Sequence, residues 1–322
     1  MSNDLRFDDQ VAVITGAGGG LGLQYALLLA SRGACVVVND IGGSVTGSGS
    51  NIDAATEAAE EIRRHGGEAV ADTHSVATPE GGQAIIDTAL QAWGRVDIVI
   101  NNAGIVRDAP FEDITADRLD PLIDVHLKGA FYVTRPAWKI MREQRYGRIL
   151  NTCSAAGLLG AERMSNYGSA KTGLVGLTRV LAAEGADHDI KVNAVAPIAY
   201  TRMLAHSVES AGRPDDPSAQ VVLDDLVAQY LQKLDPALVA PVVAFLTHRD
   251  CPVSGEIYTV GAGHAARFFI GRTKGFYSPA LSIEQVRDHL DEIRDEADYS
   301  VPAGPADEMS ELFATIMANQ PD

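Results

Sequence analysis

Seven short runs rich in valine, isoleucine and alanine recur along this chain, separated by longer stretches with helical periodicity. Runs that are apolar without alternation suit strands covered on both faces, and connections of helix length join parallel neighbours. The spacing predicts strands over 11–15, 34–39, 69–73, 96–101, 148–152, 191–195 and 257–260. It predicts helices over 20–32, 53–65, 79–93, 118–143, 165–187 and 236–246. The fold class that follows is α/β, a parallel sheet with helices on both sides. Past Gly263 the alternation stops, and residues 282–296 and 306–318 read as two amphipathic helices on a Pro/Gly-containing linker. The expected organisation is therefore a large domain over residues 1–263 and a helical extension over 264–322.

Two loops stand out. Residues 41–51 are Gly/Ser-rich and too polar for a core, and residues 200–234, with Pro214 and Pro217, begin polar and become helical. The second follows a strand end and is a candidate lid.

The formal net charge of -17 argues against a nucleic-acid surface or an anionic membrane face, and an anionic substrate would need a local basic patch. No stretch reaches the ~18 consecutive apolar residues of a membrane span. Three cysteines without metal-ligand spacing fit a reducing compartment. The N-terminus shows no apolar signal segment and the chain ends Asn-Gln-Pro-Asp rather than in a peroxisomal tripeptide, so the expected location is cytoplasmic. The histidines show no two- or three-ligand spacing, and no catalytic metal is expected.

The chemistry gathers in a few places. Thr15-Gly16-x-x-x-Gly20-Leu21-Gly22 lies between an apolar strand and a helical run, where glycines let the backbone approach a phosphate at a helix N-terminus. A G-x-G-x-x-G spacing does not fit, because Leu21 stands where the third glycine would be. Asp40 follows the second strand, eighteen residues past Gly22, and no Arg or Lys comes directly after it. A carboxylate there accepts from ribose hydroxyls and repels a 2′-phosphate, so NAD is preferred to NADP. Asn101-Asn102-Ala103-Gly104 ends the fourth strand, and Ser75 and Val76 follow the third; both stretches are candidates for the adenine side.

Tyr167 and Lys171 are an i, i+4 pair on one helix face, with Ser154 thirteen residues before the tyrosine on a turn after the fifth strand. A phenol of ordinary pKa about 10 is a poor base at neutral pH unless a nearby ammonium stabilises its anion. Lys171 can also donate to the nicotinamide ribose, and Ser154 can donate to a substrate oxygen whose charge changes.

The set Thr15–Gly22, Asn101–Gly104, Ser154, Tyr167 and Lys171 resembles the short-chain dehydrogenase/reductase superfamily over about residues 7 to 263. That resemblance implies a Rossmann-type, doubly wound domain, hydride transfer to a nicotinamide, and Tyr167 as acid/base. It also implies nicotinamide contacts from Pro197, Ala199 and Thr201. Val38–Gly43, Glu60–Gly67, Val125–Gly129 and Val260–Gly263 resemble, more narrowly, the (3R)-hydroxyacyl-CoA dehydrogenase part of the peroxisomal multifunctional enzyme type 2 family, also described as 17β-hydroxysteroid dehydrogenases of type 4. From that likeness the extension is expected to contribute a dimer contact and cover the substrate site, with a homodimer or homotetramer as the assembly. Where the superfamily usually has an asparagine propping a water relay behind the lysine, this chain has His126, as the narrower family does. Arg267, Arg272 and Lys274 are candidates for CoA phosphates.

The resemblance implies NAD-dependent oxidation of a secondary alcohol, foremost a (3R)-3-hydroxyacyl-CoA, to the ketone. A 17β-hydroxysteroid or a steroid side-chain CoA ester is the alternative substrate. A 3-ketoacyl thioester reductase fits Asp40 less well, and a nucleotide-binding scaffold without catalysis fits the intact Ser154, Tyr167 and Lys171 poorly.

Overall fold

In the computed structural model, which describes residues 4–51, 53–210, 230 and 233–319, the alternation of chain segments becomes alternation in space. Strands β1 (Val11–Thr15), β2 (Cys35–Asn39), β3 (Glu68–Asp72), β4 (Ile98–Asn101), β5 (Gly147–Thr152), β6 (Ile190–Ile198) and β7 (Ile257–Gly261) pair in parallel. The order is β3-β2-β1-β4-β5-β6-β7, with an eighth strand, β8 (His264–Phe268), beyond β7. This is the doubly wound, Rossmann-type α/β arrangement. Both faces of the strands are buried. Ala12, Ile14, Val36 and Val38 point into one apolar cluster, where helices α1 (Gly20–Ser31), α2 (Asp53–Arg64) and, further on, Ala240–Thr247 pack. Val11, Val13 and Val37 point into the other, against α3 (Pro79–Trp93) and the helix Gly129–Gln144. Successive strand residues face opposite sides, so a strand buried on both must be apolar throughout.

The predicted helix over 118–143 is three pieces: α4 (Ala116–Leu122), a π-helical turn over Ile123–Lys128, and α5 (Gly129–Gln144). Pro121 has no N–H for the carbonyl of Asp117. That oxygen is taken instead by the Arg107 guanidinium. The π turn carries His126, whose ring is buried. Two short helices join those predicted: α6 (Ala155–Leu159), capped by Ser154 Oγ accepting from Ala156 N, and α8 (Arg202–Ser210). Between them, α7 (Ser165–Gly185) carries Tyr167 and Lys171. The helix predicted over 236–246 is α9 (Ala240–Thr247), entered through a 3-10 turn at Pro236–Leu238. Most of the lid candidate, with Pro214 and Pro217, lies outside the described residues.

The chain divides into two compact units, Met1–Arg267 and Phe268–Asp322. Strand β8 follows β7 through a two-residue turn in which Ala262 (φ 49°) and Gly263 (φ 77°) both adopt left-handed backbone. Two left-handed residues reverse the chain tightly, which suits an antiparallel neighbour. In the second unit, α10 (Ile283–Asp288) opens with a capping box from Ser282 and Gln285, and α11 (Leu290–Arg294) and α12 (Pro305–Ala318) follow. None of these three helices buries a residue.

Candidate active site

The carboxyl ends of β1, β4, β5 and β6 converge on a cavity of about 410 Å³. Gly20, Leu21, Asn102, Ser154, Tyr167, Lys171, Pro197, Ala199 and Thr201, all named from the sequence, line it.

Its floor is the turn from Gly16 to Gly22. Gly16 (φ 66°) and Gly20 (φ 54°) lie in the left-handed region. A Cβ on Gly22 would come within 2.3 Å of Gly16 O, and one on Gly16 within 2.8 Å of Ala103 Cα. No side chain fits there, which is how the backbone stays open to a phosphate at the start of α1. Thr15 Oγ1 accepts from the backbone N–H groups of Asn102 and Ala103, each at 3.1 Å. The Asn102 amide donates back to Thr15 O and Gly16 O at 3.0 and 3.1 Å. The glycine turn and the end of β4 are thus one hydrogen-bonded piece.

Asp40 sits just beyond β2 with both carboxylate oxygens engaged, accepting from Gly18 N at 2.9 Å and Gly42 N at 2.7 Å. Each oxygen keeps a lone pair for a further donor. Ser75 and Val76 do not line the main cavity: Ser75 Oγ accepts from Ala77 N, and Val76 packs against Gly129. Gly104 likewise stands back from it, because its Cα faces His126; a Cβ there would lie 2.4 Å from His126 Cε1.

At the other end, α7 buries Tyr167 and Lys171 on the face that the i, i+4 spacing predicts. Lys171 Nζ lies 5.6 Å from the centre of the Tyr167 ring and donates to Thr152 O at 2.6 Å. Burial governs both groups. It pushes the Tyr167 phenol up to about 12, against a downward pull from Ser154, and the Lys171 amine down to about 8. Burial of both groups thus opposes the stabilisation of the phenol's anion that is expected of a nearby ammonium. Removing two ionisable groups from water outweighs what one does for the other. The phenolic hydroxyl also has the Met203 sulfur as a partner, at 4.0 Å.

His126 stands edge-on to Tyr167, ring centres 5.2 Å apart and planes at 86°. Its Nε2 faces the Ile105 backbone, 2.7 Å from the carbonyl oxygen and 3.0 Å from the nitrogen. Burial, and then Lys171, hold the imidazole well below its usual pKa, so it is neutral. Nδ1 is buried with no hydrogen-bond partner among the described residues. A cavity of about 10 Å³ beside the ring, room for one water, touches Thr15 and Asn101 but not Lys171. His126 thus packs edge-on against the Tyr167 ring, and the small cavity beside it does not reach Lys171.

Several site residues carry no sequence signal. Val45, Val106, Met164 and Met203 wall the cavity beside Tyr167, brought together from four separate segments. Arg202, next to the predicted Thr201, lies 3.8 Å from where a Gly19 Cβ would stand. A guanidinium over a helix N-terminus can meet a phosphate bidentately. The cations Arg267, Arg272 and Lys274 are already partnered within their own units, by Glu256 at 3.1 Å, Glu311 at 2.9 Å and Asp298 at 3.1 Å respectively.

The family described as short chain dehydrogenase matches residues 10–211. The chain is 41% identical over 318 residues to peroxisomal multifunctional enzyme A of Dictyostelium discoideum, covering 99% of this chain and 67% of that one. It is 45% identical over 275 residues to the peroxisomal hydratase-dehydrogenase-epimerase of Saccharomyces cerevisiae, covering 85% of this chain and 28% of that one. Among solved structures, full-length peroxisomal multifunctional enzyme type 2 from Drosophila melanogaster superposes with a TM-score of 0.77 at 34% identity, over 98% of this chain and 50% of that one. The chain thus spans between about a quarter and two thirds of these multifunctional proteins.

Proposed function

Because the chain belongs to the short-chain dehydrogenase family, we propose that it oxidises (3R)-3-hydroxyacyl-CoA to 3-ketoacyl-CoA with NAD. The observation that carries this reading is the single cavity holding Ser154, Tyr167 and Lys171 beside a glycine turn, with an alkyl and thioether wall. The residues fit a dinucleotide: Gly16 and Gly22 leave no room for a Cβ, and Asp40 keeps free lone pairs where a ribose would meet it. When bound, the nicotinamide supplies the hydride acceptor.

The chain's own groups handle the proton and the oxygen. Ser154 Oγ donates to the substrate oxygen, and Tyr167 Oη takes the hydroxyl proton as the carbonyl forms. Lys171, with one hydrogen bond to Thr152 O, stabilises the phenolate and holds a ribose hydroxyl. Val45, Val106, Met164 and Met203 exclude water from this exchange and suit an acyl chain.

NAD rather than NADP is supported by Asp40. Asp40→Ala removes charge-assisted bonds worth about 1.5–3 kcal/mol, so the NAD-to-NADP ratio of kcat/KM should fall by roughly tenfold or more. An unchanged ratio removes the ribose contact from the reading.

We assign the second unit to contact between subunits of a homodimer or homotetramer, supported by the apolar side chains it leaves exposed, among them Ile283, Phe313 and Met317. Among the described residues no helix is long and apolar enough to cross a membrane. The address in the relatives' names is theirs; for this chain the free thiols of Cys35, Cys153 and Cys251 support a reducing compartment, the cytosol in our reading.

A panel of NAD-dependent assays tests the substrate. (3R)-3-Hydroxyacyl-CoA esters of graded length should give the highest kcat/KM, above 17β-hydroxysteroids and steroid side-chain CoA esters. A free steroid turned over faster than every acyl-CoA overturns the assignment.

A further inference from the structure

The acyl end of such a substrate is accounted for at Tyr167, but its carrier is not. Beside the alkyl-walled cavity is a second one, of about 300 Å³, with only polar residues on its lining. The two adjoin residue by residue: Val45, Val106 and Met203 wall the first, while Thr46, Arg107 and His206 line the second. The backbone holds them together, since Val106 N donates to Val45 O at 2.9 Å and Arg107 Nε to Thr46 O at 2.9 Å.

Two guanidinium groups face this basin, and both are oriented by peptide oxygens. Arg107 donates to the carbonyls of Thr46 and Asp117, and Arg118 to that of Asp108 at 3.1 Å. Their positions are set while their charges are not neutralised by those bonds. His206 adds a third nitrogen base, and Thr46 and Ser48 add hydroxyl groups. Two carboxyl groups share the cavity and match the two guanidinium groups in formal charge. Asp117 accepts from Thr115 Oγ1 at 2.6 Å. Asp108 keeps Oδ1 buried without a hydrogen-bond partner among the described residues, and burial pushes its carboxyl up, against the pull of His206 and Arg163. Donors nevertheless outnumber acceptors here, in a chain whose net charge is -17. Oriented arginines with adjacent hydroxyls are the chemistry that recognises phosphate.

We propose that this basin binds the phosphate groups of the CoA carrier as it leaves the active-site mouth. The inference rests on the acyl-CoA reading above. It takes the place of Arg267, Arg272 and Lys274, whose charges are met by Glu256, Glu311 and Asp298.

The test compares one (3R)-3-hydroxyacyl group esterified to CoA and to pantetheine, which lacks the adenosine phosphates, at saturating NAD. Arg118→Glu should lower kcat/KM for the CoA ester about tenfold more than for the pantetheine ester, because a charge-assisted contact is lost only with the former. His206→Gln should shift the ratio the same way by a smaller factor, and turnover of the pantetheine ester reports that each variant is folded. Equal losses on both esters, or none on either, overturn the basin. A wild-type protein that oxidises no acyl-CoA at all overturns the substrate reading itself, which is a separate result.

Discussion

Tyr167→Phe is expected to lower kcat for alcohol oxidation by about 10²–10⁴-fold, the usual contribution of a positioned general base, with no loss of thermal stability. The two halves of that expectation come from one observation. The phenolic hydroxyl is nearly buried, with a thioether sulfur at 4.0 Å and the Ser154 side chain as its neighbours. When it is removed Ser154 Oγ keeps its bond from Ala156 N, so the usual penalty for breaking a buried hydrogen bond is small. The loss must then be read as chemistry. Initial rates from the reduced-nicotinamide absorbance, beside a thermal melt, separate the two. A variant that keeps more than about a tenth of wild-type turnover would remove Tyr167 from the proton-transfer role.

Lys171→Met should move activity and stability in opposite directions. The amine has a folded pKa of about 8 against a reference of 10.5. Below pH 8 it is charged in both states, and its burial costs folding roughly 3 kcal/mol. Between about 8 and 10.5 the unfolded chain binds the additional proton, so wild-type stability from this group rises with pH, and above 10.5 the cost is gone. The methionine protein should therefore be more stable at pH 7 by up to about 3 kcal/mol, less the hydrogen bond to Thr152 O, with the advantage fading by pH 10.5. Catalysis runs the other way. The Tyr167 phenol, raised by burial to about 12, needs a nearby ammonium to give up its proton near neutrality, and Lys171 carries that charge below about 8. Without the amine the phenol keeps its proton, and the rate at pH 7.5 falls by ~10²–10⁴-fold. Urea titrations at several pH values and a pH–rate profile check both. A variant less stable at pH 7, or one that keeps more than about a tenth of the wild-type rate at pH 7.5, contradicts the account.

What could be read in advance follows from which forces are local. The parallel strands were legible because most are buried on both faces and so are apolar without alternation, which leaves a mark in any short window. Strand β8 was not, since the turn that produces it depends on Ala262 adopting a left-handed backbone that alanine rarely takes. The π turn at 123–128 was hidden for a similar reason: Pro121 announces a missing donor, while the Arg107 side chain that satisfies the bare carbonyl comes from another segment. The candidate site shows the same division. Spacing along one helix puts Tyr167 beside Lys171, but the burial that drives their pKa values apart is made by neighbours from the whole domain. The cations near the site, Arg107, Arg118 and Arg202, are scattered in sequence, whereas the clustered Arg267, Arg272 and Lys274 are in ion pairs.

Beneath the site runs a line of buried amides and hydroxyls. Asn101 on β4 donates to Thr134 on α5 and to Asn151 on β5, each at 2.9 Å. Asn151 donates in turn to Thr178 on α7, also at 2.9 Å, and Thr178 donates to Leu174 O. Alkyl groups of the same size could fill this space at little thermodynamic expense, because hydrogen bonds traded against water contribute modestly on balance. Alkyl groups, however, slide. A directional link permits one rotation of the tyrosine-bearing helix about its axis and disallows its neighbours, so the chain holds its aim through residues that add little to its melting temperature. Selection for heat resistance alone would discard them, and leave a sturdy protein whose proton acceptor points slightly astray.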